Sequence, residues 1–338
     1  MDLAITLLLS FLSVWVWNEI FLRFARRLGA LSQGIPNQRR WDSRKKPIIG
    51  GIGLYGLALG LAAWRPEGLE ISRAFLAGAT ISFMTGLADD AFVSVPYTKL
   101  LGQLSAAAIS LLLGAPSLEI EGYPLLSIGL TLFWYVAVMN AFNMMDNMDG
   151  IAGTLAAVIL FSSFWLIPQN KTLYVGLAVG ILAFLARNWY PSHLYMGDNG
   201  SQFLGFTLAY WGTQVWEARN MTPAWLNLLS LVAIFSLFAG DTFWVILSRL
   251  SRGNSPLQGG TDHLTHRLAQ RGWPIQRIAV VLGAIQMLLV LSPLFLMNDK
   301  QSVWGNIGLI FVLGTLIGLV HAPYMGISLR LFRVRQAV

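Results

Sequence analysis

Long uninterrupted apolar runs constrain the fold of this chain more than any other feature. Windows of roughly 15–23 apolar residues, long enough to cross a bilayer as helices, recur along the whole sequence. They lie at 3–22, 48–64, 73–88, 99–114, 124–142, 151–167, 173–187, 201–216, 225–247, 276–296 and 304–322. Lipid admits only helices and closed barrels, and a barrel is built from short alternating strands. We therefore predict an all-α, polytopic integral membrane protein with about eleven transmembrane helices in a single domain over residues 1–338.

The positions of the basic residues predict how the helices are oriented. Eighteen of the 23 Lys and Arg fall in alternate connections and in the C-terminal tail. The positive-inside rule places such segments in the cytoplasm, which puts the N-terminus outside and the C-terminus in the cytoplasm. The net charge of +7 follows this topology, so no nucleic-acid partner is expected. The absence of Cys excludes disulfides and thiolate metal sites.

Unusual polar residues gather on the predicted cytoplasmic side. Four clusters lie there: Asp89-Asp90 after the third window, Asn143 with Asp146 and Asp149 after the fifth, Asn188 and Asp198 around the seventh connection, and His263 with His266 in the ninth. The outer connections carry only scattered carboxylates. Because such groups lose several kcal/mol each in hydrocarbon, this one-sided set predicts a site at the inner membrane interface.

Each cluster alone also has a structural explanation. Asp146, Asp149 and Asp198 could cap the helices that follow them, and most histidines three residues apart are surface pairs on one helix face. Together, however, acidic and amide oxygens suit Mg²⁺, which prefers oxygen ligands and substrate phosphates. Nearby basic residues suit a diphosphate. The residues therefore predict phosphoryl transfer between a soluble nucleotide and a membrane lipid.

At these residues the chain resembles the polyprenyl-phosphate N-acetylhexosamine-1-phosphate transferases. This family includes phospho-MurNAc-pentapeptide transferase and the bacterial UDP-GlcNAc:undecaprenyl-phosphate GlcNAc-1-phosphate transferases. The matching pieces, in family order, are Pro36-Asn37 with Arg39, Pro47-Ile48-Ile49-Gly50-Gly51, Asp89-Asp90, Asn143-x-x-Asp146-x-x-Asp149-Gly150, Asn188-x-x-Pro191, Met196-Gly197-Asp198-x-Gly200-Ser201, Asp241 with Arg249, and His263-Leu264-Thr265-His266-Arg267-Leu268. Eleven predicted helices resemble the GlcNAc-1-phosphate branch more than the ten-helix peptidoglycan branch.

The resemblance implies a reaction at the cytoplasmic face of the inner (plasma) membrane. HexNAc-1-phosphate, with GlcNAc as the expected sugar, would pass from UDP-HexNAc to polyprenyl (undecaprenyl) phosphate, and UMP would be released. This is the first membrane step of a cell-surface glycan, such as lipopolysaccharide or another wall polymer. UDP-MurNAc-pentapeptide and a deoxy-HexNAc nucleotide are the alternative donors. The implied cofactor is Mg²⁺, with Mn²⁺ as the alternative, and family members are often homodimers.

The resemblance also implies a role for each matching residue. Asp198 would be the main Mg²⁺ ligand, with Asp146 and Asn143 near the metal or the diphosphate. Asp89 would act on the lipid phosphate as a base or by positioning it, with Asp90 as its neighbour. The remaining expected contacts are Asp149 and Asn188 to the uridine, Lys45 or Lys46 to the nucleotide, His263 and His266 to the diphosphate or sugar, and Arg267 to the substrate.

At two positions the sequence departs from the family pattern. Thr265 stands where many members have a middle His, and Asp42 lies where many have a His before the Pro-x-x-Gly-Gly segment.

Two other function classes compete with the transferase. A transporter or flippase would use intramembrane acids such as Asp241 and Glu19 in a relay, but it would be expected to contain internal repeats, and none is visible. A non-catalytic scaffold would not need several polar motifs on one side.

Overall fold

The computed structural model describes residues 3–28, 46–64, 71–92, 95–167, 171–219, 224–255, 260–295 and 300–324. The predicted site residue Lys45 and the motif residues Pro36, Asn37, Arg39 and Asp42 lie outside these ranges. The helices of the described part are α1 (Leu3–Leu28), α2 (Gly50–Trp64), α3 (Arg73–Phe92), α4 (Pro96–Leu112), α5 (Pro124–Met145), α6 (Ile151–Phe161), α7 (Ser163–Leu166), α8 (Lys171–Asn188), α9 (Gly197–Arg219), α10 (Trp225–Leu250), α11 (Leu264–Gln270), α12 (Ile275–Phe295) and α13 (Lys300–His321), followed by a 3₁₀ turn at Ala322–Tyr324.

Every predicted apolar window coincides with helix. The sixth window is divided at Ser162 into α6 and α7, and the short α11 is an additional helix outside the windows. Among the described residues, six helices are long and apolar enough to cross a membrane, namely α1, α5, α8, α10, α12 and α13. The all-α prediction is therefore confirmed, and these six helices agree with a polytopic membrane protein. The count of eleven spans, the orientation of the termini and the single domain stay predictions.

Helix α9 lies at the centre of the bundle and packs against α2, α3 and α5. Most of its residues are buried, including Trp211, whose indole N–H donates to Ser163 Oγ at 2.7 Å. Such close packing needs small residues where backbones meet. A Cβ added to Gly205 would lie 2.9 Å from Met139 Cα of α5, so only glycine fits there. Helix α9 therefore fixes where the ends of its neighbours lie.

The segment before α9 is joined to the segment before α2. The N–H of Tyr195 donates to the carbonyl of Pro47 at 2.8 Å, and the N–H of Gly50 donates to the carbonyl of Tyr195 at 3.0 Å. Gly197, the first residue of α9, has φ +79°, in the left-handed region that glycine enters without strain. These bonds and this turn bring the start of α9 to the same end of the bundle as the start of α2.

Candidate active site

The ends of α3, α5 and α9 meet beside the start of α4, and Lys99 lies at the centre of this meeting point. Its Nζ is 3.0 Å from Asp89 Oδ2, 3.4 Å from Asp198 Oδ1 and 3.2 Å from Asn143 Oδ1. The structure therefore brings together three residues that the sequence had placed in separate motifs. Lys99 itself was not predicted as a site residue. Its only sequence signal was a cation at the very start of an apolar window.

Asn143 and Asp198 are also in direct contact. Asn143 Nδ2 donates to Asp198 Oδ1 and to Ser201 Oγ, both at 2.7 Å. Ser201 is one turn along α9 from Asp198, so the end of α5 is bound to the first turn of α9. The carboxylate of Asp198 thus accepts from an amide and lies beside an ammonium group. Ser201 was noted in the sequence only as part of a motif, and the structure gives it this specific partner.

Asp89 and Asp90 have different environments although they are adjacent. The carboxylate of Asp90 accepts hydrogen bonds from the backbone N–H groups of Asp198 and Asn199, both at 2.9 Å, and from Asn199 Nδ2 at 2.6 Å. These donors belong to the N-terminus of α9, whose first N–H groups have no partners within the helix. Burial raises the pKa of Asp90, and the two N–H bonds oppose that rise. Asp90 therefore caps α9 from a neighbouring helix, while Asp89 contacts Lys99. Whether Asp90 also takes part in catalysis stays a prediction.

Asp146 has an unusual environment for a carboxylate. Within the described part of the chain, its side chain has no hydrogen-bond donor and no cationic partner. Burial raises its pKa to about 7, and the negative charges of Asp198, Asp149 and Asp90 add to the rise. Burial also raises the pKa of Asp198 to about 6, although Lys99 opposes the shift. The site therefore holds more negative charge than its own residues neutralise.

Side chains in the described part of the chain do not form a metal site by themselves. In the described ranges, no group of three or more His, Asp or Glu side chains is arranged to hold a metal ion. The oxygens at hand are those of Asp146, Asp198 and the Asn143 amide. A cation here would need further ligands from a bound substrate.

Beside this site, Lys46 and Asp149 form a buried ion pair. Lys46 Nζ is 3.3 Å from Asp149 Oδ2 and donates to Ser192 Oγ at 2.8 Å. The N–H of Ser192 donates to the same carboxylate at 3.1 Å. Two residues expected to contact the nucleotide therefore contact each other. Their predicted binding roles are not tested by these contacts.

Asn188 uses both ends of its amide within the protein. Its Oδ1 accepts from the N–H of Gly150, and its Nδ2 donates to the carbonyl of Leu194, both at 2.9 Å. The amide thereby ties the turn after α5 to the loop before α9. Its predicted contact with uridine stays a prediction, and any such contact would have to replace or share these bonds.

The predicted histidines lie at the short helix α11, with His263 directly before it and His266 within it, next to the turn after α5. Thr265 Oγ1 donates to Asn147 Oδ1 at 2.6 Å, so the residue that replaces the middle His of the family holds α11 against this turn. The rings of His263 and His266 are 5.9 Å apart. Burial, with the neighbouring His263, lowers the pKa of His266 to about 4. The His266 ring is therefore neutral at physiological pH.

Arg267 belongs to α11, and its side chain is fully buried. Its guanidinium donates to the carbonyl of Asp262 at 2.7 Å, to the carbonyl of His321 at 2.8 Å and to Ser248 Oγ at 3.1 Å. These bonds connect α11 with α10 and α13. The contacts explain its burial structurally, and its predicted role in substrate binding remains untested.

A layer of amides lies one helical turn from the polar site. Gln103 of α4 is four residues after Lys99, Asn140 of α5 is three before Asn143, and Gln202 of α9 is four after Asp198. Gln103 Nε2 donates to Gln202 Oε1 at 3.0 Å, and Asn140 Nδ2 donates to Gln103 Oε1 at 2.8 Å. The amides therefore join the three helices that carry Lys99, Asn143 and Asp198.

Comparison with known proteins finds one matching family model and several relatives with similar names. Residues 72–215 match the model of a family described as "Glycosyl transferase family 4". A Bacillus subtilis protein named "Probable undecaprenyl-phosphate N-acetylglucosaminyl 1-phosphate transferase" is 25% identical over 328 residues, covering 92% of this chain and 89% of the relative.

Two further relatives carry related names. A Mycolicibacterium smegmatis decaprenyl-phosphate N-acetylglucosaminephosphotransferase is 29% identical over 302 residues, covering 76% of this chain and 73% of the relative. The undecaprenyl-phosphate alpha-N-acetylglucosaminyl 1-phosphate transferase of Escherichia coli is 25% identical over 309 residues, covering 82% and 80%. The resemblance read from the motifs is thus confirmed over most of the chain, which is a relative of the polyprenyl-phosphate N-acetylglucosamine-1-phosphate transferases.

Proposed function

We propose that this protein transfers HexNAc-1-phosphate, with GlcNAc as the sugar, from UDP-HexNAc to undecaprenyl or another polyprenyl phosphate. The names of its relatives support this reaction. The single observation that carries it is the contact of Lys99 with Asp89, Asn143 and Asp198. Residues from three separate motifs and one unpredicted cation thereby form one polar site.

The reaction requires the protein mainly to position the two substrates and to reduce the repulsion between their negative charges. An oxygen of the lipid phosphate attacks the sugar-bearing phosphorus of the nucleotide sugar. A new P–O bond forms, and the bond from that phosphorus to the bridging oxygen breaks, so that UMP leaves with the electron pair. One phosphoanhydride replaces another, and the main barrier is the approach of two anions. Lys99 is placed to reduce that repulsion, because its ammonium lies among the ends of three helices.

Asp89 acts best as a positioning group for Lys99. A phosphate monoester has a second pKa of about 6, so the lipid phosphate is already largely ionised near neutral pH and needs no strong base. The Asp89 carboxylate lies 3.0 Å from Lys99 Nζ, which holds the ammonium at the edge of the site. Of the two roles considered for Asp89, this argues against the base, and it favours positioning that acts through Lys99 rather than by direct contact with the lipid phosphate.

The residues at the site fit Mg²⁺. Asp146 lacks a donor or cation among the described residues, and burial, together with the negative charges of Asp198, Asp149 and Asp90, raises its pKa to about 7. Asp198, Asp146 and Asn143 offer only oxygen ligands, which Mg²⁺ prefers together with substrate phosphates. These three residues would hold the ion, with Mn²⁺ as a substitute. When bound, it supplies neutralisation of the phosphate charges and polarisation of the reacting phosphorus.

The proposal includes a location and an assembly. The site lies at the cytoplasmic face of the inner (plasma) membrane, as the distribution of basic residues favours, and two copies associate as a homodimer. The product begins a cell-surface glycan. The two acids considered for the transporter alternative do not contact each other in the described part of the chain: Glu19 accepts from Arg187 Nε at 2.6 Å, and Asp241 binds His263.

The test is the release of UMP by the purified protein. UDP-GlcNAc, undecaprenyl phosphate and Mg²⁺ should yield UMP, and Asp198→Asn should abolish it while the melting temperature in detergent stays close to that of the wild type. Glu119→Gln is the matched control, because Glu119 is an exposed carboxylate between the end of α4 and the start of α5, at the opposite ends of these helices from Lys99 and Asn143, and it should keep full activity. A panel with UDP-GalNAc and UDP-MurNAc-pentapeptide identifies the donor. No UMP from any of these donors would refute the proposal.

A further inference from the structure

We infer that Asp241 is a positioning residue that orients the imidazole of His263 for the reaction. The inference rests on the proposed function. It concerns a carboxylate that the transferase chemistry described above leaves unused. Asp241 lies in the interior of α10 and is 1% exposed. A carboxylate at such a place is retained only if it has strong partners.

Asp241 has two short contacts, both with the start of α11. Its Oδ2 is 2.8 Å from His263 Nδ1, and its Oδ1 accepts the backbone N–H of Leu264 at 2.6 Å. His263 is the residue before α11, and Leu264 is the first helical residue. The carboxylate therefore binds one side chain and one of the unpaired N–H groups at a helix start. The bond to Nδ1 leaves the imidazole little freedom to rotate, and the bond from Leu264 caps the helix.

The contact decides which ring nitrogen of His263 is available. A carboxylate accepts hydrogen bonds and does not donate them, so it favours the proton on Nδ1. Within the described part of the chain, Nε2 of His263 has no hydrogen-bonding partner. Nε2 is then the atom that can contact a ligand. In the imidazolium form it donates to a phosphate oxygen, and the buried carboxylate balances the added charge.

The other side of α11 connects this pair to the polar site. Thr265 binds Asn147 at 2.6 Å, and Asn147 directly follows Asp146 in the turn after α5. A continuous set of contacts therefore runs from Asp241 in α10, through His263 and Leu264, to that turn. A shift of His263 would therefore also disturb the turn next to Asp146, one of the carboxylates that we assign to the metal.

Other charged groups surround the pair on each packed element. On α13, His321 Nε2 is 3.6 Å from Asp241 Oδ1, which is too long for a hydrogen bond. On α11, His266 has its ring 5.9 Å from that of His263. On α10, Arg249 Nη2 donates to Asp262 Oδ1 at 2.7 Å, so this guanidinium already has a carboxylate partner. Asp241 is therefore the carboxylate bound directly to His263.

A capping role alone would also explain the buried carboxylate, and one variant separates the two roles. Leu264→Pro removes the N–H that Asp241 Oδ1 accepts but leaves the contact between Asp241 and His263. Proline is tolerated at the first helical position. It also requires an extended residue before it, and His263 has φ −71° and ψ 161°. The backbone can therefore accept this change.

The experiment measures kcat/KM for UMP release by Asp241→Asn, His263→Gln, the double variant and Leu264→Pro. We expect Asp241→Asn to lose roughly 10- to 100-fold, the usual loss when the partner that orients a functional histidine is removed. The double variant should be no worse than His263→Gln, because Asp241 acts through that ring. Leu264→Pro should lower the melting temperature but keep kcat/KM within a few fold of wild type.

Three outcomes would overturn the inference. They are full activity in Asp241→Asn, a loss in the double variant equal to the product of the single losses, and a loss in Leu264→Pro as large as that in Asp241→Asn. If Asp241→Asn fails to fold, the comparison of His263→Gln with Leu264→Pro decides: equal losses in both would overturn it. Failure of the proposed function is distinguishable, because the wild type would then release no UMP from any donor.

Discussion

Replacing Gly86 with alanine should move the end of α3, which carries Asp89 and Asp90, away from the start of α9, which carries Asp198. Gly86 lies in α3, one turn before Asp89 and Asp90, and faces the start of α9. A Cβ at this position would lie 2.6 Å from Asn199 Cα and closer still to the carbonyl group of Asp198. Carbon atoms pack at 3.5–4.0 Å, so α3 must move away from α9 by roughly 1 Å. Backbone atoms cannot rotate aside as a side chain could.

The expected cost can be divided between stability and activity. Alanine inside a helix is intrinsically better than glycine by about 0.5–1 kcal/mol, so any loss must come from the contact with α9. Overpacking of this kind costs about 1–3 kcal/mol. The same movement takes the Asp90 carboxylate away from the N–H groups of Asp198 and Asn199, and it takes the Asp89 carboxylate away from the polar site. A misplacement of about 1 Å can cost roughly 100-fold in rate.

The assay compares Gly86→Ala with Gly60→Ala in UMP release and thermal unfolding in detergent. Gly60 is also helical, but no heavy atom lies within 4 Å of its added Cβ, so this variant should keep its activity and stability. Gly86→Ala should lose most of its activity and some stability. Wild-type activity in both variants would refute the close approach of α3 and α9.

Three further predictions test single contacts. Lys99→Gln should lower kcat about 100-fold, because one charged donor aimed at the reacting anions is lost; a UMP assay with unchanged kcat would contradict this role. The pKa values of Asp146 and Asp198 are raised to about 7 and about 6, so without metal these two groups contribute stability that is complete in acid and is lost as pH rises through these values. Mg²⁺ should therefore raise the melting temperature more at pH 8 than at pH 5.5, and an equal rise at both would argue against binding to these carboxylates. Thr265→Val should cost about 0.5–1.5 kcal/mol of stability by removing the bond to Asn147, while Thr265→Ser should retain it; equal unfolding curves for both would show the bond to be unimportant.

The helices could be read from the sequence because their apolar runs are long and continuous. Even the division of the sixth window at Ser162 changes little, since α6 and α7 follow each other directly. The short α11 has no such run, and only the three-residue spacing of His263 and His266 indicated a helix there. What was missing was the set of partners that hold it, because contacts such as Thr265 with Asn147 join residues 118 positions apart.

The candidate site was predictable in its members but not in its pairings. Asp89 and Asp90 look equivalent in the sequence, yet neighbours on a helix point in different directions, and only one of them reaches Lys99. Lys99 was overlooked because a lysine at the start of an apolar window is typical of any membrane interface. The ion pair of Lys46 with Asp149 joins residues 103 positions apart, which no local pattern reveals.

We propose that the end of α5, with the turn after it, and the start of α9 hold a divalent cation at one site. Iron-directed cleavage tests it most directly, because Fe²⁺ bound in place of Mg²⁺, with ascorbate and peroxide, cuts the backbone next to its own ligands. We expect cuts within 143–149 and 196–201 that excess Mg²⁺ suppresses and that Asp198→Asn abolishes. Cuts that Mg²⁺ suppresses elsewhere in the chain, or cuts that persist in Asp198→Asn, would contradict it.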